Sequence, residues 1–213
     1  MASSLLLEGG LAALAFLLLA AYHLRLLRRV RRRPESTALG LADRVRDRWV
    51  EMVMTERRDI LAVQTLRNWT MAATFLASTA MLIALGILSV AATSQRIVEV
   101  SRLLTFLEGA TPRLTLVKLM VLAGVFLFAF FSFTLAIRYY NHAGYQLALP
   151  PDREPRLSPA LVARGLNRGG LHYTLGMRAY YLAVPLALWL FGPELLLLAA
   201  LLVLLALSRM DRP

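Results

Sequence analysis

The chain has 213 residues, 58% of them hydrophobic, with a formal net charge of +11 and no cysteine. That much apolar residue beside that much charge fits only a chain whose apolar residues are gathered into membrane spans, which excludes an ordinary soluble domain. The lack of cysteine excludes disulfides, thiolate metal sites and cysteine nucleophiles.

A helical span needs roughly 20 mostly apolar residues. The first such run covers about residues 5–24. No basic residue precedes it and no small-residue cleavage site follows, so it reads as a retained span rather than a signal peptide. Glu8 falls near its outer edge. Next comes "RRVRRRPEST", a basic juxtamembrane run suited to anionic lipid headgroups. Over about 41–69, Val45, Trp49, Met52, Val53, Ile60 and Val63 recur near helical spacing with charges between them. This predicts an amphipathic helix. No Gly or Pro interrupts 42–85, so that helix is expected to continue into the second span, about 70–92.

The second span opens with Arg67-Asn68-Trp69 and carries Thr70, Thr74 and Ser78 at four-residue spacing, beside a face of Ala73, Ala77 and Ala80. Such a stripe suits helix packing better than a pore wall. In the following loop, Glu99 and Glu108 would form an acidic ring if the protein is a symmetric oligomer. The third span covers about 114–137. The loop at 138–178 contains "LPPDREPRLSP", a turn followed by Ser158 as N-cap and Pro159 as first helical residue. "NRGG" at 167–170 is expected to break that helix. The last apolar stretch, about 179–207, has Phe191-Gly192-Pro193 in its middle. Proline there removes a backbone hydrogen bond, so one bent span is expected, with two segments hinged at Gly192 as the alternative. Glu194 beside the break is a candidate intramembrane carboxylate.

Twelve of the 24 basic residues fall within 25–67 and six within 138–178. Both loops are therefore read as cytoplasmic, with the N-terminus and the Glu99 loop outside. Four spans would leave the C-terminus outside too, where Arg209 and Arg212 fit poorly; a fifth crossing would bring them inside. The expected fold is all-α: one polytopic membrane domain over 1–213, with about four transmembrane helices and long cytoplasmic helical extensions. The bilayer leaves backbone groups no other partners. A multi-pass location in a bacterial inner membrane is expected.

Three segments carry a family resemblance: "YHLRLLRR", "AVQTLRNWTMAATFLAST" and "RGLNRGGLHYTLGMRAYYLAVPLALWLFGP". They resemble the domain-of-unknown-function 599 family of bacterial and plant membrane proteins over about residues 22–212. The resemblance implies a multi-span membrane protein and brings no functional residues with it.

The chemistry must come from the residues. Arg67 and Asn68 enter span two; Arg138, Asn141 and His142 leave span three; His172 and Arg178 approach the last span. In a bundle these ends would meet as a cationic vestibule at the cytoplasmic face, where arginine suits bidentate recognition of phosphate or carboxylate. Positive-inside bias and the aromatic belt would also gather Arg, His and Tyr there, but neither predicts Asn68 or Asn141. The three histidines show no pair at ligand spacing and no haem attachment motif, and no nucleophile elbow, HExxH or P-loop occurs. No catalytic residue, metal or cofactor is therefore expected. Nor is a nucleic acid, because the arginines flank spans. The leading expectation is a homo-oligomeric channel or transporter for a small ion, preferably an anion, or solute. The alternative is a membrane adaptor binding anionic lipid headgroups or a protein partner through its Arg-rich helix. A weaker one is a haem or quinone protein using His142 and His172.

Overall fold

Hydroxyl caps and prolines set where the helices begin. Thr111 accepts a hydrogen bond from the Leu114 amide (3.4 Å) ahead of Pro112, and Ser158 accepts one from the Leu161 amide (3.3 Å) ahead of Pro159. Proline fits this first position because its missing N–H would have no intrahelical partner. The computed structural model describes residues 2–108, 111–149, 154 and 156–212. Among them there is no strand. The helices are α1 (Ala2–Arg32), α2 (Ala38–Glu56), α3 (Asp59–Ala91), α4 (Ser94–Glu108), α5 (Pro112–Ala148), α6 (Pro159–Leu188) and α7 (Pro193–Met210). Among the described residues, four segments are long and apolar enough to cross a membrane: Gly9–Arg32, Ile60–Ala91, Pro112–Ala148 and Pro193–Met210. The chain is an all-helical, multi-pass membrane protein.

Three local expectations are corrected. The helix expected to run unbroken through 42–85 stops at Arg57, which takes a left-handed conformation (φ 56°, ψ 42°) and caps α2. No glycine marks the stop, so periodicity alone could not locate it. "NRGG" does not end a helix: α6 passes through it, because Gly169 and Gly170 serve close packing. A Cβ at Gly169 would stand 2.6 Å from the Tyr140 ring, and one at Gly170 2.8 Å from the Arg46 guanidinium. The single bent span over 179–207 is instead two helices. The turn at Trp189–Gly192 reverses the chain, with Gly192 at φ 154°, a conformation open to glycine.

α5 is the central helix, with α3 on one side and α6 on the other. Between them, Ala73, Ala77, Ala80 and Ala84 of α3 meet Phe126, Ala129 and Phe133 of α5 and Ala179 and Ala183 of α6. The α5–α6 approach is close: a Cβ at Gly176 would be 2.7 Å from the Phe133 ring. Small residues permit this backbone proximity, the main source of helix association in lipid. At the basic end, α2 packs Val50, Val53 and Met54 into the same bundle. α1 and α7 form a separate seam through Ala15, Leu19, Leu196 and Ala200.

Antiparallel to α5, α6 runs from Gly169 beside Tyr140, through Gly176 beside Phe133, to the Trp189 carbonyl, which accepts from Lys118 Nζ (2.7 Å). Lys118 and Arg138 are separated by roughly 30 Å of helix, about the thickness of the hydrocarbon core. α6 thus covers the length of an apolar span without being apolar, since it carries Arg164, Arg168, His172 and Arg178. α7 returns alongside it, and Asp211 ends against α1, α2 and α6: its carbonyl accepts from the Ala38 amide (3.1 Å) and its carboxylate binds Tyr22 and Arg178.

Candidate functional site

Positions 128, 131, 135, 138 and 142 fall on one face of α5 by helical spacing. Phe128, Phe131 and Leu135 are exposed on the apolar part of that face, and Arg138 and His142 follow at its basic end. On α6, Arg164 and Arg168 lie one turn apart, with Gly165 between them keeping the floor low. The antiparallel register brings the two sets together. Arg138, His142, Arg164 and Arg168 line one groove of about 550 Å³, completed by Leu135, Tyr139, Gln146, Leu161 and Gly165. The Tyr139 ring stacks on His172 at 5.6 Å and 10°, which fixes the wall on the α6 side.

None of these three arginines has an ion-pair partner among the described residues. Elsewhere on the same end three arginines are paired, Arg44 with Glu35, Arg58 with Glu56 and Arg46 with Asp43, while others such as Arg67 stand exposed at the surface. Arg46 also donates to Asn167 (2.8 Å), which in turn donates to Asp47 (2.8 Å), clamping α2 to α6. The groove therefore gathers positive charge and planar hydrogen-bond donors with no acidic partner among the described residues. Guanidinium groups of this kind suit bidentate contacts to an anion, and Leu135 and Leu161 add apolar surface beside them.

The residues expected to form a single vestibule divide. Arg138 and His142 line the groove, and His172 supports its wall. Arg67, Asn68 and Asn141 are exposed at the same end but take no part in that wall. Arg178 is turned inward, 8% exposed, and pairs with Asp211. Glu99 is exposed on α4, while Glu8 and Glu108 lie outside the residues whose side chains are described. Glu194 is exposed in the first turn of α7. There the helix dipole favours a carboxylate, and the turn sits level with Lys118 rather than in mid-span. The hydroxyl stripe also differs from expectation: Thr74 and Ser78 are exposed, and the alanine face does the packing.

Sequence reading missed Arg164, Arg168, Tyr22 and Asp211. The spacing of Arg138 with His142 and of Arg164 with Arg168 was the available signal, since each pair marks one helix face. No group of His and acidic residues among the described residues has metal-ligating geometry.

No curated protein and no solved structure matches the chain. The family model described as a protein of unknown function, DUF599, matches residues 11–213, so the chain belongs to that family.

Proposed function

We propose that this membrane protein binds a phosphate-bearing anionic lipid headgroup in the α5–α6 groove at its cytoplasmic face. The observation that carries the reading is the convergence of Arg138, Arg164 and Arg168 on one groove with no ion-pair partner among the described residues. An arginine cluster left unpaired at a membrane edge is matched by bidentate contacts to phosphate oxygens. Acyl chains would then follow the exposed Phe128, Phe131 and Leu135 down the same face of α5. The excess of arginine in the loops on this side supports the cytoplasmic orientation of the reading.

A conducting role fits the single subunit less well. Alanines and phenylalanines fill the space between α3, α5 and α6, so a polar path would have to run between subunits of an oligomer.

Native mass spectrometry of the detergent-purified protein with phosphatidylglycerol or phosphatidylcholine tests the lipid reading. Preferential retention of phosphatidylglycerol, reduced about tenfold in an Arg164→Ala/Arg168→Ala variant, is expected; tenfold corresponds to ~1.4 kcal/mol. Competition by inorganic phosphate would identify a free anion as the ligand. Equal retention of both lipids would overturn the reading.

A further inference from the structure

A second cavity, of about 290 Å³, lies on the opposite face of α6, between α6, the end of α7 and the start of α2. It shares no lining residue with the groove. Its wall combines an apolar body with hydrogen-bond donors. Leu39, Met177, Leu207 and Met210 supply the apolar part. Arg178, Tyr173 and Tyr181 supply the donors.

One buried donor in this wall is left without an acceptor. Arg178 uses Nη2 on Asp211 Oδ1, while Tyr22 donates to Asp211 Oδ2 at 2.5 Å, so both carboxylate oxygens are engaged. Arg178 Nη1 is buried with no hydrogen-bond partner. The hydroxyls of Tyr173 and Tyr181 make no hydrogen bond among the described residues, whereas Thr174 is committed to the Gly170 carbonyl at 2.9 Å. A buried donor without a partner is costly, and a native structure normally satisfies it.

Charge narrows the ligand class. Arg178 is already neutralised by Asp211, so a second anion would leave the buried site with net negative charge. A neutral oxygen acceptor meets the Nη1 donor without that penalty. The α6 wall of the site begins about one and a half helical turns inward of Arg138, because Gly176 faces Phe133 on α5. A ligand at that depth comes from the bilayer.

We propose that this cavity binds a neutral, carbonyl-bearing apolar molecule of the membrane, its oxygen accepting from Arg178 and its body lying against Leu39, Met177, Leu207 and Met210. Two sources share this chemistry: the acyl ester of a glycerolipid and the ring of a quinone.

The test follows the unfolding temperature of the detergent-purified full chain against three probes: a short-chain diester phosphatidylcholine, its diether analogue, and decyl-benzoquinone. The ether lipid has the same headgroup and no carbonyl. A saturable rise with the ester or the quinone, exceeding that with the ether, is expected, and whichever probe acts names the source. The Tyr173→Phe/Tyr181→Phe variant keeps the rings and removes two donors. It should raise the half-saturating concentration about tenfold. A Met177→Trp variant, which fills the cavity and leaves the ion pair alone, should abolish the rise. If ester, ether and quinone act alike, or if both variants respond as the parent does, the inference fails. Loss of this response leaves headgroup binding in the α5–α6 groove unaffected, so the two proposals stand or fall separately.

Discussion

Arg178 and Asp211, 33 residues apart in sequence, form the ion pair that closes the α6–α7 hairpin. Their side chains are only 10% and 12% exposed. Tyr22 joins from α1 and the Ala38 amide from the start of α2, so one carboxyl-terminal residue ties together four parts of the fold. Removing one member of a buried pair leaves the other uncompensated, at about 3–5 kcal/mol. Arg178→Met or Asp211→Leu alone should therefore lower stability by about 3 kcal/mol, while the Arg178→Met/Asp211→Leu double variant recovers part of that loss. Thermal unfolding of the four proteins of the cycle measures the coupling. Additive losses would show that the pair does not act as a unit.

The hairpin also fixes topology. If α6 and α7 both cross, the C-terminus shares the side of α2 and of the α5–α6 connection. The chain has no cysteine, so single cysteines placed at Ala160 and Arg212 can be labelled from either side of sealed vesicles without background. Both should react from the same side. Labelling from opposite sides would restore a four-span arrangement with one bent helix.

Glycine at the α5–α6 contact is set by space rather than by backbone angle. Gly176→Ala would put its Cβ 2.7 Å from Phe133, a fully buried ring with no room to move. Overpacking of this kind costs about 1–3 kcal/mol. Gly165, in the same helix, has nothing within 4 Å of its would-be Cβ, and Gly165→Ala should be neutral or slightly stabilising. Equal melting temperatures for the two variants would contradict the close approach.

Thr37 is fully buried, donates to the Pro34 carbonyl (2.8 Å) and accepts from the Gly40 amide (3.2 Å), which starts α2. Thr37→Ala should cost about 1 kcal/mol. Proteolysis of the detergent-solubilised protein should then cut first near the α1–α2 connection. Unchanged cleavage there would show that the cap is dispensable.

Much of the protein was legible in its sequence, for reasons that are local. Hydropathy over 20-residue windows marked the apolar runs of α1, α3 and α5, because a bilayer of fixed thickness demands them. Ser158-Pro159 marked the start of α6 because a cap and a first-turn proline act within a few residues. The clustering of arginines identified one end of the bundle.

What remained hidden depended on partners distant in the chain. α6 was obscured as a full-length bundle helix because Arg164, Arg168 and Arg178 lower its hydropathy. The grouping of Arg164 and Arg168 with Arg138 is decided by α5, and the burial of Arg178 by α7 and Asp211. Gly169 and Gly170 look like a helix stop until Tyr140 and Arg46 occupy the space they leave. The division of the vestibule residues into a groove, an exposed set and a buried ion pair depends on the register of α6 against α5. Periodicity says which residues share a face of one helix; only packing decides which two faces meet, because that choice is made by side-chain fit between segments tens of residues apart.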